Sequence, residues 1–277
     1  ITPENAWLFA HLEQIETGVQ NDLSKQGVTL KPYADYAETL RDALKNNTAC
    51  IPWADPKSTT QGTFQILNEM SLQETSKQAV QKILSKPQRI TDLHPVEYLK
   101  SIKNASELHG MQQAHLAASV ALCRVWRWSE QQLAAGQSIS EKQFADQLEA
   151  FYAAHPAFQG LSFNTIAGAG KNGAIVHYRA DEKNAKIINK SDLFLCDSGG
   201  QYKYGTTDVT RTICFSKPKK NIIDIFTKVL KGHIAVVTSD LKKYYNGKMI
   251  DKRARKSLKD AGLDYDHGTG HGVGFFS

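Results

Sequence analysis

The sequence predicts an α/β (α+β) chain of two domains, 1–90 and 91–277, and three observations carry that expectation. A length of 277 residues with 41% hydrophobic content is enough for a substantial core and more than one unit. Short apolar runs bounded by Gly, Asn, Asp and Pro alternate with longer stretches whose apolar residues recur every three or four positions. Between Pro87 and Pro95, a cluster of Pro, Asp and His breaks that periodicity and marks the boundary.

In the first domain, Ala6 to Phe9 reads as a short strand, Glu13 to Gln26 as helix and Val28 to Tyr33 as strand. Tyr36 to Lys45 reads as a helix with Leu40, Ala43 and Leu44 on one side. Cys50 to Trp53 is expected as a buried strand, Ser58 to Gly62 as a polar turn, and Val80 to Leu84 as part of a short helix. No constellation of catalytic residue types occurs in this half, which reads as an accessory or scaffolding domain.

The second domain opens on a strong helix signal. Asn104 or Ser106 caps a helix in which Leu108, Met111, His115, Ala118, Leu122, Val125 and Trp126 recur up to Leu133. Ser140 with Gln143 makes a capping box for the next helix, with Phe144, Leu148 and Phe151 as its buried stripe. His109, His115 and His155 read as helix-surface or core-edge residues. Strands follow at Leu161 to Ile166, Ala174 to Tyr178, Leu193 to Cys196 and Val209 to Phe215. Gly168, Gly170 and Gly173 match the dinucleotide fingerprint literally, but the strand-forming AIVHY that follows them cannot open the required helix, so a glycine-rich hairpin is expected. A helix from Ile222 to Leu241, with Ile225, Phe226, Val229 and Leu230 on its apolar face, precedes another from Met249 to Ala261, ended by Gly262. The segment Tyr265 to Gly274 is too rich in glycine for a helix.

The formal charge of +6 is scattered over Lys and Arg, with only short clusters at Lys217 to Lys220 and Lys252 to Lys256, so a solvated face is expected and not a nucleic-acid footprint. Cys50, Cys123, Cys196 and Cys214 form no CxxC pair and read as buried reduced thiols of an intracellular protein. No apolar run reaches the roughly 18 residues of a membrane span, and the default location is cytoplasmic. With Ile1 at one end and the apolar GVGFFS at the other, the chain is expected to be a piece of a longer protein.

The chemistry concentrates in LFLCDSGGQYKYGTTDVTRTICF, Leu193 to Phe215. Asp197 follows an apolar strand directly, and Asp208 sits past two turns in a run of β-branched residues. A carboxylate at the end of an apolar strand is costly to bury unless a cation neutralises it, so two on adjacent strands point to a metal site. The alternative is that Asp197 caps the SGG turn and Asp208 pairs with Arg211. His267 and His271 are spaced as in a zinc-binding helix, yet the intervening Gly-Thr-Gly and the missing Glu argue against one. One of the two is read as a ligand, the other as lining the site or touching substrate. Two hard carboxylates and an imidazole suit Mn, Zn, Co or Fe, and a bridging carboxylate suits two ions holding a hydroxide that attacks a polarised carbonyl. His177, after the glycine-rich turn, is a candidate to bind substrate or a developing oxyanion.

Taken together, NGAIVHY, LCDSGGQYKYGTTDVTRT and HGTGHGVG resemble the aminopeptidase P (Xaa-Pro aminopeptidase) branch of the pita-bread metallopeptidases in its long cytosolic form. LHPVEYLKSIKNASELHGMQQAHLAASVAL is similar to the opening helix of that family's catalytic domain, and Ile1 to Pro87 to part of its creatinase-like middle domain. The resemblance therefore implies a partial creatinase-like domain (1–90) followed by a pita-bread domain (91–277) incomplete at its C-terminus. It implies that Asp197 ligates one metal, Asp208 bridges both and His271 ligates the other, while His177 is the substrate-side histidine and His267 lines the active site. Two divalent ions, generally manganese, with Zn or Co as alternatives, and peptide substrates with proline in second position follow from it. The full-length protein is expected to be able to form a homodimer.

Two features depart from the family. Its five-ligand site is completed by two glutamates after the HGTGHGVG segment, where a further substrate-binding histidine also lies, and none of these is present here. This segment alone is therefore expected to bind metal weakly and be inactive. Tyr204 stands where the family commonly has an acid, at a turn position expected to be exposed. The competing class is a non-catalytic pita-bread binding module of the histone-chaperone kind; such relatives generally lose the ligands that Asp197, Asp208, His271 and His177 retain. Methionine aminopeptidase and prolidase are disfavoured by the middle-domain similarity and by the GTTDVTRT form.

Overall fold

The computed structural model describes residues 5–46, 59–71 and 95–276. The chain divides into two compact units, Ile1–Ile102 and Lys103–Ser277. The expected boundary at residues 90 and 91, the Cys50 to Trp53 strand and the Val80 to Leu84 helix lie outside the described residues.

In the first unit, β1 (Ala6–Ala10) pairs in parallel with β2 (Val28–Pro32). A parallel pair needs a crossover, and α1 (Thr17–Lys25) supplies it. Next comes α2 (Tyr36–Asn46), whose Tyr36 ring meets Phe9 edge-on at 5.2 Å. Where a polar turn is expected, Thr60 Oγ1 accepts from the Thr63 backbone N–H at 3.3 Å and starts α3 (Gln61–Ser71). Ile66, Leu67 and Met70 of this helix are buried. The unit ends on α4 (Pro95–Ser101).

The second unit opens with α5 (Ala105–Ala134), capped by the reciprocal Asn104–Glu107 box. Then α6 (Glu141–Ala153) starts from the Ser140–Gln143 box. Both lay their apolar stripes on antiparallel strands: Ala114, Ala118, Ala121 and Val125 from α5, and Phe144, Leu148 and Tyr152 from α6, are buried together. One sheet runs in the order β4 (Ile166–Ala169), β5 (Leu193–Ser198), β8 (Val209–Cys214); the other in the order β3 (Phe158–Leu161), β6 (Gly200–Tyr202), β7 (Gly205–Thr206). Phe194 packs edge-on against Phe144 at 4.7 Å. Because side chains alternate along a strand, Phe194, Cys196 and Ser198 are buried while Leu195 and Asp197 face the opposite side.

The strand expected at Leu161 to Ile166 is in fact a bend between β3 and β4, which belong to different sheets. Ala174 to Tyr178 is not a strand, nor is there a hairpin before it: Gly170–Ala174 forms a 3-10 turn, and His177 takes a left-handed φ of 57°. Close approach to α5 explains Gly110, where a Cβ would collide with the Tyr204 carbonyl oxygen. Tyr204 itself is half-buried, stacked on Tyr202 at 6.2 Å and packed on the core, not exposed as expected. Cys196 is buried, but Cys123 is exposed.

Beyond the sheets, α7 (Lys220–Val237) packs on α8 (Gly247–Lys259), and Arg253 Nε donates to the Ala235 carbonyl at 3.2 Å. The apolar face expected on α7 is largely exposed, with Phe226 at 50% and Val229 at 51%. Among the described residues no helix is long and apolar enough to cross a membrane.

Candidate metal centre

Asp197 sits near the end of β5, opposite Thr210 of β8, and this register turns both side chains to the sheet face away from α6. Its Oδ1 is buried and has no hydrogen-bond partner among the described residues. Burial pushes its pKa above the usual carboxylate range; a hydrogen bond from Thr210 opposes this, and the neighbouring Asp208 carboxylate reinforces it. A partly desolvated acid thus lies beside a second carboxylate, which is unfavourable unless positive charge lies between them.

Asp208 is delivered by the turn between β7 and β8, and its Oδ2 lies 3.2 Å from His271 Nε2. A cavity of about 60 Å³ beside that contact is lined by Ser162, Thr206, Thr207, Asp208, His271 and Gly272 among others. Gly199 makes the turn possible: a Cβ there would collide with the Thr207 carbonyl and with Ser162 Oγ, which itself donates to that carbonyl at 2.8 Å. Among the described residues the alternative pairing of Asp208 with Arg211 does not appear, since Arg211 donates to the Thr210 carbonyl at 2.7 Å and Asp208 turns to His271.

His177 is exposed, and its influence on the Asp197 carboxylate, towards the ionised form, is the weakest of those that bear on it. His267 is held differently: its ring stacks on Tyr265 at 4.9 Å, and its Nδ1 lies 2.8 Å from the Gly268 carbonyl. Among the described residues no group of three or more His, Cys, Asp and Glu side chains closes into a single metal-holding set. Convergence is pairwise: Asp208 meets His271 directly, and Asp197 feels the neighbouring Asp208 carboxylate. Hard carboxylate oxygens, one of them buried without a partner, and a single imidazole form a donor set suited to a divalent cation.

Two supports of the site have no signature in the sequence. Arg255 of α8 donates to both Asp251 oxygens at 2.9 and 3.0 Å, to Asp264 at 2.9 Å, and to the carbonyls of Tyr265 at 2.6 Å and His267 at 2.9 Å. It thereby ties down the loop that carries both histidines. Glu141, fully buried at the start of α6, receives hydrogen bonds from the segment that carries His177. From sequence, Arg255 belongs to a basic surface cluster and Glu141 to the ordinary acids of a helix's first turn.

Residues 109–276 match the metallopeptidase family M24, and residues 1–107 match the creatinase/prolidase N-terminal domain. A probable Xaa-Pro aminopeptidase P of Coprinopsis cinerea is 38% identical over all of this chain and 43% of its own length. Aminopeptidase P2 of Arabidopsis thaliana is 35% identical over 98% of this chain and 40% of its own length. The crystal structure of an X-prolyl aminopeptidase from Caenorhabditis elegans, described as a cytosolic enzyme with a di-nuclear active site, superposes with a TM-score of 0.76 at 28% identity, covering 100% of this chain and 43% of that one. The chain thus spans less than half the length of these relatives. By these matches and by its mixed helix and sheet architecture, the chain belongs to metallopeptidase family M24, with a creatinase/prolidase N-terminal domain preceding the peptidase domain.

Proposed function

We propose that this chain forms part of a metal-dependent aminopeptidase that releases the N-terminal residue from peptides with proline in second position. The observation that carries this reading is the buried, unpartnered Asp197 Oδ1 beside Asp208, which in turn meets His271. The names of the fungal and plant relatives support the substrate class, and the di-nuclear site of the nematode enzyme supports two divalent ions, with manganese our choice. The same enzyme's description as cytosolic supports a cytoplasmic location.

In this reading Asp197 and His271 would each hold one ion, and Asp208, next to both residues, would contribute to holding the two. When bound, the ions supply Lewis-acid polarisation of the scissile carbonyl and activation of water. His177, exposed and left-handed in φ, would donate a hydrogen bond to the carbonyl oxygen as negative charge develops on it. His267, on the loop of His271, lines the peptide's path. Two carboxylates and one imidazole are too few donors to neutralise two divalent ions, so this segment alone binds metal weakly and does not hydrolyse peptide. The retained acids and histidines count against a non-catalytic binding module.

The test is release of the first residue from an Xaa-Pro peptide by the full-length protein with added manganese. Turnover that is abolished by a chelator and by Asp208→Asn, and that is weak on a peptide without proline in second position, is expected. Absence of turnover at saturating manganese would overturn the reading.

A further inference from the structure

Glu141 is 0% exposed, and among the described residues its carboxylate receives no hydrogen bond from a charged side chain. A buried carboxylate persists only where hydrogen bonds replace its water, and here the donors come from the last residue of β4 and the segment that follows it before β5. Glu141 Oε1 accepts from the Ala169 N–H at 2.6 Å and from Asn172 Nδ2 at 3.0 Å. Its Oε2 accepts from the Tyr178 hydroxyl and from the Lys186 N–H, each at 2.8 Å. Asn172 Nδ2 donates in turn to the Tyr178 hydroxyl oxygen at 2.8 Å.

Tyr178 is 9% exposed, and burial followed by the Glu141 hydrogen bond raises its pKa to about 12, which keeps it a neutral donor at physiological pH. The residue before it, His177, holds a φ of 57°, a conformation that non-glycine residues keep only where their surroundings enforce it. On its other side the Ile175 and Val176 side chains are 52% and 59% exposed, and Ile175 is held by its backbone alone, donating to the Asn172 carbonyl and accepting from the Tyr178 N–H, each at 3.1 Å. Among the described residues the buried side chain next to His177 is therefore the Tyr178 ring, whose hydroxyl donates to Glu141 at 2.8 Å and lies beside Asn184.

We infer that Glu141, acting through Tyr178 and Asn172, is a positioning residue that fixes the turn from which His177 presents its imidazole. The inference rests on the proposed substrate-side role of His177 only for its catalytic consequence; the positioning itself is independent of that role.

Tyr178→Phe in the full-length protein removes the hydroxyl and little else. It is expected to lower kcat on an Xaa-Pro peptide about tenfold, in the range typical of groups that orient an active-site residue, with manganese affinity unchanged. Added to His177→Ala, it should cause no further loss, because the two changes remove one function. Glu141→Gln turns an acceptor into a donor facing other donors and should reproduce the effect more strongly; where it fails to fold, Tyr178→Phe carries the test. As a readout without turnover, the His177 ring resonances of histidine-labelled protein should shift or broaden in Tyr178→Phe while those of His271 stay. Multiplicative losses in the double variant, or a lowered Tm with kcat and the His177 resonances unmoved, would overturn the inference. A wild-type protein without Xaa-Pro turnover sinks the functional reading and leaves the resonance comparison to decide this one.

Discussion

Arg255 Nη2 donates to the His267 carbonyl oxygen at 2.9 Å, and this bond couples α8 to the glycine-rich loop that carries His267 and His271. The guanidinium also lies 3.9 Å from the centre of the Tyr265 ring, and its side chain is 14% exposed. Lysine has neither the planar fork nor the reach to serve Asp251, Asp264 and two carbonyls at once. Arg255→Lys is therefore expected to weaken metal binding by the full-length protein about 10- to 100-fold, the usual loss when a group orienting a ligand is removed. Calorimetric titration with manganese checks it, and limited proteolysis should cut first near Gly268.

The same loop should loosen at low pH. Hydrogen bonds from Thr269 and then Arg255 lower the pKa of Asp251, and those from Arg255 and the Tyr265 backbone lower that of Asp264, both from an ordinary 3.8. A folded-state pKa below the unfolded one contributes stability above the unfolded value and loses it as pH falls through the folded value. Amide exchange of residues 264–271 is accordingly expected to be independent of pH above about 4 once corrected for intrinsic rates, and to accelerate below 3.8. Arg255→Ala should flatten that dependence.

Gly199→Ala should uncouple the two acids. The new methyl group meets backbone at the Thr207 carbonyl, which cannot swing away as a long side chain can, and also meets Ser162 Oγ. Overpacking of this kind costs about 1–3 kcal/mol. Because the forced shift falls between Asp197 and Asp208, loss of metal-induced stabilisation should exceed what the fall in Tm alone accounts for.

Much of this was legible in the sequence, for identifiable reasons. The capping boxes at Asn104 and Ser140 were readable because they are local, needing only residues three positions apart. Asp197 and Asp208 stood out because an acid after an apolar strand demands an explanation. His177 was legible as a candidate from its place after the glycine-rich turn, but the strand expected around it does not form: Ala174 to Tyr178 has β-forming composition, while Tyr178 is held by Glu141, far away in sequence. The helix at Gln61 was hidden behind Thr-Thr-Gln-Gly, where Thr60 acts as a cap instead of closing a turn. Arg255 and Glu141 were invisible for the same reason: their roles exist only once distant backbone carbonyls and N–H groups have been brought to them.

The acid pair yields the most direct test of a cation at this site. With Asp197 partly desolvated beside Asp208 and its Oδ1 unpartnered, the metal-free protein bears an electrostatic penalty that Asp197→Asn removes. Asp197→Asn in chelator is therefore expected to be at least as stable as the unsubstituted full-length protein, although it replaces a buried polar group. Manganese should invert the order: a ligand bound only by the folded state adds about 2.7 kcal/mol at a hundred times its dissociation constant, and Asp197→Asn and Asp208→Asn should both forfeit that gain. Thermal unfolding of the three proteins with and without manganese provides the comparison. An Asp197→Asn variant that is destabilised in chelator yet still gains stability from the ion would mean that this carboxylate serves the turn and not a metal.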